Sequence, residues 1–118
     1  MKVKIVETNG TKIAVCESDK AIIMDGQSTL DYIVSTGFEY GCRDIAINKA
    51  SIAEDFFSLS TGIAGEVSQK IVNYQLRLAI IGDFSGYTSK PLRDYMHECN
   101  RGGHLYFVQD EAEALEKL

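Results

Sequence analysis

Hydrophobic and polar residues alternate near the start of the chain as they do in a β-hairpin. In the stretch KVKIVET, residues 2–8, apolar side chains alternate with lysines, and the stretch TKIAVCE, residues 11–17, is again rich in β-forming residues. Asn9 and Gly10 stand between the two stretches, and this dipeptide supplies the positive φ angles of a type I′ turn. We therefore predict that residues 2–8 and 11–17 form two antiparallel strands.

A helical period replaces the alternation after the hairpin. Asp25 is of a residue type that caps helix N-termini, and behind it apolar residues recur at helical spacing: Leu30, Ile33 and Val34. Gly37 fits the end of this helix. The preceding residues 21–24, AIIM, fit either a short strand or an apolar lead-in, and the sequence leaves this open. Residues 44–48, DIAIN, are short, apolar and β-branched, so they predict an interior strand.

A short helical turn is predicted after this strand. Ser51 and Glu54 have the spacing of a capping box, in which a hydroxyl and a carboxylate bond the free backbone amides at a helix start. Phe56 and Phe57 follow, and aromatic residues of this kind are more often core anchors than ligand-stacking residues. We expect both rings to lie in the core.

The next two elements carry the strongest hydrophobic signals in the chain. Apolar residues recur at helical spacing over residues 61–73, and Gly62 and Gly65 would permit close backbone approach at the first turn of this helix. Residues 76–81, LRLAII, are almost continuously apolar. A run of this kind predicts a strand that is buried on both faces.

The last third of the chain predicts a helix, a strand and a closing helix. Thr88 or Ser89 can cap the first helix, with Pro91 in its first turn, and Arg101 and a glycine pair end it. Residues 105–108, LYFV, predict the strand. Asp110 starts the closing helix, whose inward residues are expected to be Ala112, Leu115 and Leu118.

Helices and strands thus alternate behind an N-terminal β-hairpin. Strands joined through helices imply right-handed crossovers and parallel pairing, so we predict an α/β fold with a mixed, mostly parallel sheet. The length of 118 residues is typical of one domain, and we expect a single domain over residues 1–118.

Composition narrows the classes of partner. The formal charge is −5, with 12 Lys and Arg against 17 Asp and Glu, and no basic cluster interrupts this balance, which disfavours nucleic acid. The chain has neither a signal-type N-terminus nor an apolar run long enough for a membrane span. Its three cysteines form no CxxC pair, and two histidines do not complete a metal site. We expect a cytoplasmic protein with reduced thiols and without a metal or cofactor.

Candidate binding residues gather at the predicted carboxyl edge of the sheet. The Ser60-Thr61-Gly62 turn opens a helix there, while Asn48 and Asp83 each follow a strand, so parallel strands would bring them to one edge. Thr61 is either a helix cap or a binding turn at which phosphate would meet free backbone amides. Asp83 is either a turn residue beside Gly82 or, with Ser85 and Tyr87, part of a cradle for a small polar ligand.

The end of the third predicted helix offers a second group of polar residues. Glu98, Asn100 and Arg101 cluster where a glycine pair leaves the helix end open, although simple solvation explains them as well. His97 and Cys99 point to different faces of one helix, so they do not form a nucleophile pair within it. Cys99 lies on the apolar stripe and is expected to be a small core residue.

A family resemblance covers nearly the whole chain. The run FFSLSTGIAGEVSQKIVNYQLRLAIIGDFSGYTS, followed by ECNRG at residues 98–102 and EALEKL at the end, resembles the bacterial family catalogued as domain of unknown function 4180. The hairpin and the alternating elements are similar, more distantly, to the STAS domain shared by sulfate transporters and anti-sigma factor antagonists. That likeness implies a phosphate acceptor just before the turn glycine, which is Thr61 here, but Leu59 stands where the antagonists have Asp.

Two functions compete on these residues. The first is a small regulatory or binding module with a switch at Ser60-Thr61-Gly62 that acts through a protein partner. The second is a small enzyme or ligand-binding protein that uses a polar pocket around Asp83, with Thr61 and Arg101 near a phosphate or carboxylate substrate. A Gly-rich phosphate loop, a nucleophile elbow and a metal cluster are missing, which disfavours the enzyme. The oligomeric state stays open, a homodimer included.

Overall fold

Five strands form one mixed sheet in the order β1-β2-β3-β4-β5. The computed structural model describes residues 1–118. β1 and β2 pair antiparallel, and every later neighbour is parallel. The strands are Lys2–Thr8, Thr11–Glu17, Asp44–Asn48, Arg77–Ile81 and Leu105–Val108. The predicted α/β class and the mostly parallel sheet are therefore confirmed.

The N-terminal hairpin has the predicted turn. Thr8 pairs directly with Thr11. Asn9 and Gly10 have φ angles of 50° and 78°. Both angles lie in the left-handed region that a type I′ turn requires, and its twist matches that of the two strands. The hairpin prediction is confirmed with its boundaries.

Four helices cover the two faces of the sheet. Helix α1 spans residues 26–40, with α-helical ends at Gly26–Thr29 and Ser35–Tyr40 and a π-helical turn at Leu30–Val34. The others are α2, Ile63–Asn73, α3, Lys90–Arg101, and α4, Glu111–Lys117. Consecutive right-handed crossovers between neighbouring strands put α1, α2 and α3 on one face. α4 lies on the other face. None of the four helices is long and apolar enough to cross a membrane.

Alternate residues of each central strand pack into two separate cores. In β4, Leu78 and Ile80 face the three helices, while Ala79 faces α4, and all three are fully buried. The prediction of a strand buried on both faces is confirmed. Phe56 and Phe57 lie in the larger core, also as predicted.

Helix α1 begins as predicted but ends later. Asp25 accepts a hydrogen bond from the Ser28 amide at 2.8 Å and so caps the helix. Gly37 does not end it; the helix continues to Tyr40, and Gly41, with φ at 65°, is the terminal residue. Gly37 instead allows close packing, because a Cβ there would lie 2.9 Å from the carbonyl oxygen of Cys42. Its role is set by the turn that follows the helix and by Leu76, whose Cδ2 would lie 3.4 Å from that Cβ.

Helix α4 is fixed to the back of the sheet through its last carbonyl groups. Arg77 donates to the carbonyl oxygens of Lys117 at 2.7 Å and Leu118 at 3.0 Å, and to the Tyr106 hydroxyl at 3.1 Å.

Ala112 of α4 is exposed, contrary to the prediction, and Ala114 is the buried alanine of this helix. The other two residues predicted to face inward, Leu115 and Leu118, pack against the smaller core, so the prediction is wrong for Ala112 alone.

Candidate functional site

Asn48 lies at the carboxyl edge of the sheet, but its carboxamide is already engaged. Its oxygen accepts bonds from the Ser18 amide at 3.0 Å and from the Ser51 hydroxyl, and its nitrogen donates to the Ser18 carbonyl at 2.7 Å. Ser51 is fully buried in this network, so it forms no capping box with Glu54, whose turn begins without a side-chain cap. Asn48 therefore connects the segments that follow β2 and β3. Its carboxamide has little hydrogen-bonding capacity left for a ligand.

Thr61 lies at the same edge, exposed, at the start of α2. Its hydroxyl lies 2.8 Å from the carbonyl oxygens of Asp55 and Ser58, and it accepts the Ile63 amide at 3.2 Å. Gly62, with φ at 77°, provides the left-handed turn into the helix. A Cβ at Gly62 or Gly65 would meet no atom within 4 Å, so the expected close backbone approach is wrong. These bonds close the turn before α2, whose N-cap residue is Gly62, so the predicted cap at Thr61 is replaced by a turn contact.

Asp83 follows β4 at this edge and combines a turn with a free carboxylate oxygen. Its Oδ1 accepts the Ser85 hydroxyl at 2.7 Å and the Ser85 amide at 2.9 Å, while Oδ2 has no partner within the chain. These two bonds, with a smaller contribution from Lys49, hold the pKa of Asp83 below its ordinary value. Asp83 is therefore ionised across the neutral range.

A cleft of about 610 Å³ opens beside Asp83 and follows the outer edge of β5. Its apolar wall consists of Phe84, Met96, Phe107 and Val108, and its polar groups include Asp83, Ser85, Asn100, Gln109 and Glu113. Both Met96 and Phe107 are buried. The cleft thus joins an apolar surface to carboxylate and carboxamide groups, a combination typical of small-molecule sites.

Asn100 closes the exposed edge of the sheet within this cleft. Its Oδ1 accepts the backbone amide of Phe107 at 2.7 Å, and its nitrogen makes no bond within the chain. An unpaired amide on an edge strand would otherwise invite pairing with another chain. Of the polar cluster predicted near the end of α3, Asn100 is the member that reaches the cleft.

Arg101 does not join the other candidates. Helix α3 starts after the carboxyl end of β4 and ends before the amino end of β5, so its last residue lies at the opposite edge from Asp83 and Thr61. Arg101 lines neither the cleft beside Asp83 nor the hollow that adjoins it, so the structure does not bring it together with Asp83. A crossover helix runs antiparallel to its strands, and only residues at its start share the carboxyl edge.

Lys49 is a central residue of this edge that the sequence reading missed. Its ammonium nitrogen lies 5.4 Å from the ring centre of Phe57 and 5.1 Å from that of Tyr87, and 3.9 Å from Glu54 Oε2. The Tyr87 hydroxyl, together with the carboxylates of Glu54 and Asp83, raises the pKa of Lys49. Lys49 therefore keeps its charge inside an aromatic cluster.

Tyr87 belongs to this aromatic cluster rather than to a cradle with Asp83. Its ring stacks on Phe57 with centres 4.8 Å apart, and its hydroxyl donates to Glu54 Oε1 at 2.8 Å. Partial burial raises the pKa of Tyr87. Phe56 and Phe57 are core residues, as predicted, but nothing in their local spacing indicates that Lys49 and Tyr87 pack beside Phe57.

A shallower hollow of about 370 Å³ adjoins the cleft and has a basic side. It shares Phe84, Ser85, Met96 and Asn100 with the cleft and adds Tyr87, Arg93 and His97.

Cys99 is partly buried on the apolar side of α3, as predicted, and burial raises the pKa of its thiol. No three His, Cys, Asp or Glu side chains lie close enough together to hold a metal ion.

Sequence comparison places the chain in a family but identifies no characterised relative. A search of curated proteins and a search of solved structures gave no match. The model of one family matches residues 8–118, which is nearly the whole chain. The protein therefore belongs to the family described as Domain of unknown function (DUF4180).

Proposed function

We propose that this protein is a binding module that holds a small organic cation in the cleft beside Asp83. The ligand would place an amino group against Asp83 and Glu113 and an apolar group against the wall that contains Met96 and Phe107. This develops the ligand-binding alternative from the sequence and requires no reaction at the site.

The observation that carries the proposal is a pair of carboxylates on the cleft, each with one oxygen that has no hydrogen-bond partner within the chain. The chain contains four ion pairs, and neither Asp83 nor Glu113 takes part in one. Glu113 uses Oε2 to accept the Gln109 amide at 3.2 Å, and its Oε1 has no partner within the chain. A ligand cation would complete both groups, and the net charge of −5 would favour its approach.

A regulatory role at Ser60-Thr61-Gly62 stays a prediction with less support. Thr61 is exposed, which a modifying partner would require, but its hydroxyl is bonded within its own turn. The STAS-like switch rests on resemblance alone. We place the binding activity in the cytoplasm, a location that the three unpaired cysteines support.

Phenethylamine is a suitable probe because it combines an ammonium group with one aromatic ring. Titration of ¹⁵N-labelled protein, followed by amide chemical shifts, should perturb Ser85 and Gln109. The neutral analogue 2-phenylethanol should bind at least about tenfold more weakly, because it cannot form a charged hydrogen bond with Asp83.

Substitutions then assign the binding to the carboxylate. Asp83→Asn preserves the turn with Ser85, because Asn side chains form the same turn, and should weaken phenethylamine binding by a similar factor. Glu116→Gln removes an exposed carboxylate outside the cleft and should change nothing. Equal binding of the amine and the alcohol, or full binding by Asp83→Asn, would refute the proposal.

A further inference from the structure

An exposed aromatic pair lies at the amino edge of the sheet, on the opposite side of the molecule from the Asp83 cleft. Phe38, near the end of α1, is 77% exposed, and Tyr74, at the end of α2, is 45% exposed. Their rings pack edge to face with centres 6.4 Å apart. Contiguous apolar groups of this kind on a surface indicate an interaction site.

A hollow of about 220 Å³ lies next to this pair. Val34, Cys42 and Leu76 form its buried wall, and Arg43 is its single charged lining residue. The volume is below the range of sites that hold drug-sized molecules and suits one inserted side chain. The same surface thus presents a protruding aromatic ring and an apolar hollow side by side.

The charges around the patch are complementary to those of a second copy. Glu39 follows Phe38 directly and is exposed, while Arg43 lines the hollow and is also exposed. If Phe38 of one copy enters the hollow of another, Glu39 of the first copy is brought next to Arg43 of the second, which lines that hollow. A twofold axis then forms the same pair twice. Such self-complementarity is what an isologous dimer interface requires.

We propose that this protein forms a symmetric homodimer in which Phe38 of each copy inserts into the hollow between α1 and α2 of the other, with Glu39 paired to Arg43 across the interface. The two Asp83 clefts remain open at the far edges. The dimer therefore presents two independent ligand sites, and its existence does not depend on the proposed ligand.

Sedimentation velocity over a wide range of protein concentration tests the proposal. The chain should sediment as a dimer at high concentration, and Phe38→Ser should raise the dimer dissociation constant at least about a hundredfold, as expected for the central aromatic residue of an interface. Tyr32→Ser removes another exposed aromatic residue of α1 outside the hollow and should leave the dimer unchanged. A monomer at every concentration, or a dimer that survives Phe38→Ser, overturns the proposal.

Charge exchange tests the geometry without removing apolar surface. Glu39→Arg and Arg43→Glu should each weaken the homodimer, because each creates like charges at both symmetry-related positions. Mixing the two single variants should give a heterodimer, and the double variant should dimerise again. Failure of both rescues overturns the proposed pairing. Circular dichroism of each variant would establish that these exposed substitutions leave the fold intact.

Discussion

Gly82 lies directly against the side chain of Lys49, so that a Cβ on Gly82 would be 2.6 Å from Lys49 Cβ and 3.0 Å from its Cδ. Real Cβ atoms do not approach that closely, and glycine is therefore the residue that lets the two loops meet. The lysine stem passes over Gly82, and its ammonium group reaches Phe57 and Tyr87. This contact links the segment after β3 to the loop that carries Asp83.

Gly82→Ala should therefore destabilise the protein by about 1–3 kcal/mol, as inserted methyl groups do in packed sites. Urea denaturation followed by circular dichroism would measure the change in the free energy of unfolding. Gly86→Ala is the matched control, because a Cβ there would meet no atom within 4 Å. We expect its effect to stay below about 0.5 kcal/mol. Equal effects of the two substitutions would contradict the packing argument.

Asn48→Ala should cost stability without affecting the cleft. It removes the bonds to the Ser18 backbone and leaves the buried Ser51 hydroxyl without its carboxamide partner. We expect a loss of about 1–3 kcal/mol in the free energy of unfolding. Phenethylamine binding at a temperature where the variant is folded should match that of the unchanged protein. A selective loss of binding with normal stability would instead restore Asn48 as a ligand-binding residue.

Thr61→Ala should lower the free energy of unfolding by about 1 kcal/mol, the usual effect of losing a side-chain hydrogen bond. The hydroxyl bonds backbone groups of the turn before α2 and the Ile63 amide. Thr61→Ser keeps these bonds and should be close to neutral, and Ser60→Ala, which changes an exposed residue, should be neutral as well. Thermal unfolding of the three variants checks the order. If Thr61→Ala is neutral too, the hydroxyl does not stabilise this turn.

Arg77→Lys should loosen α4 although it keeps the positive charge. A lysine ammonium cannot reproduce the planar arrangement that bonds both Lys117 and Leu118 carbonyls together with Tyr106. We expect a loss of about 1–3 kcal/mol and faster hydrogen exchange at the amides of α4. Arg93→Lys, at an exposed arginine of α3, is the control and should leave both measurements unchanged. Unaltered exchange in α4 for Arg77→Lys would show that the contact is dispensable.

Local chemistry predicted most secondary-structure elements because their signals are local. The Asn9-Gly10 turn, the Asp25 cap and the apolar run of β4 each depend on residues that are neighbours in sequence. Predictions failed where the contacts of a residue are with residues distant in sequence. Ser51 is bonded to Ser18 as well as to Asn48 instead of forming a cap, and a Cβ at Gly37 would meet Leu76.

The candidate site was predicted in part for the same reason. Strand order placed Asn48, Thr61 and Asp83 at one edge, and the structure agrees. It separates Arg101 from them, since a crossover helix ends at the other edge. The sequence gives no local signal for Lys49 or Glu113, whose roles depend on which loops the sheet brings together.

The hydrophobic periodicity along the sequence was sufficient to predict an α/β protein with a hairpin and a mostly parallel sheet. This is because the periodicity of each element depends on which of its faces is buried. Tertiary structure alone decided which polar groups are satisfied within the protein and which are left over. The carboxamide of Asn48 is bonded to Ser18 on another segment, whereas one oxygen of Asp83 and one of Glu113 have no partner within the chain. Hydrogen bonds between distant segments form only once the chain is folded, so the unsatisfied carboxylates of the cleft appear only in three dimensions.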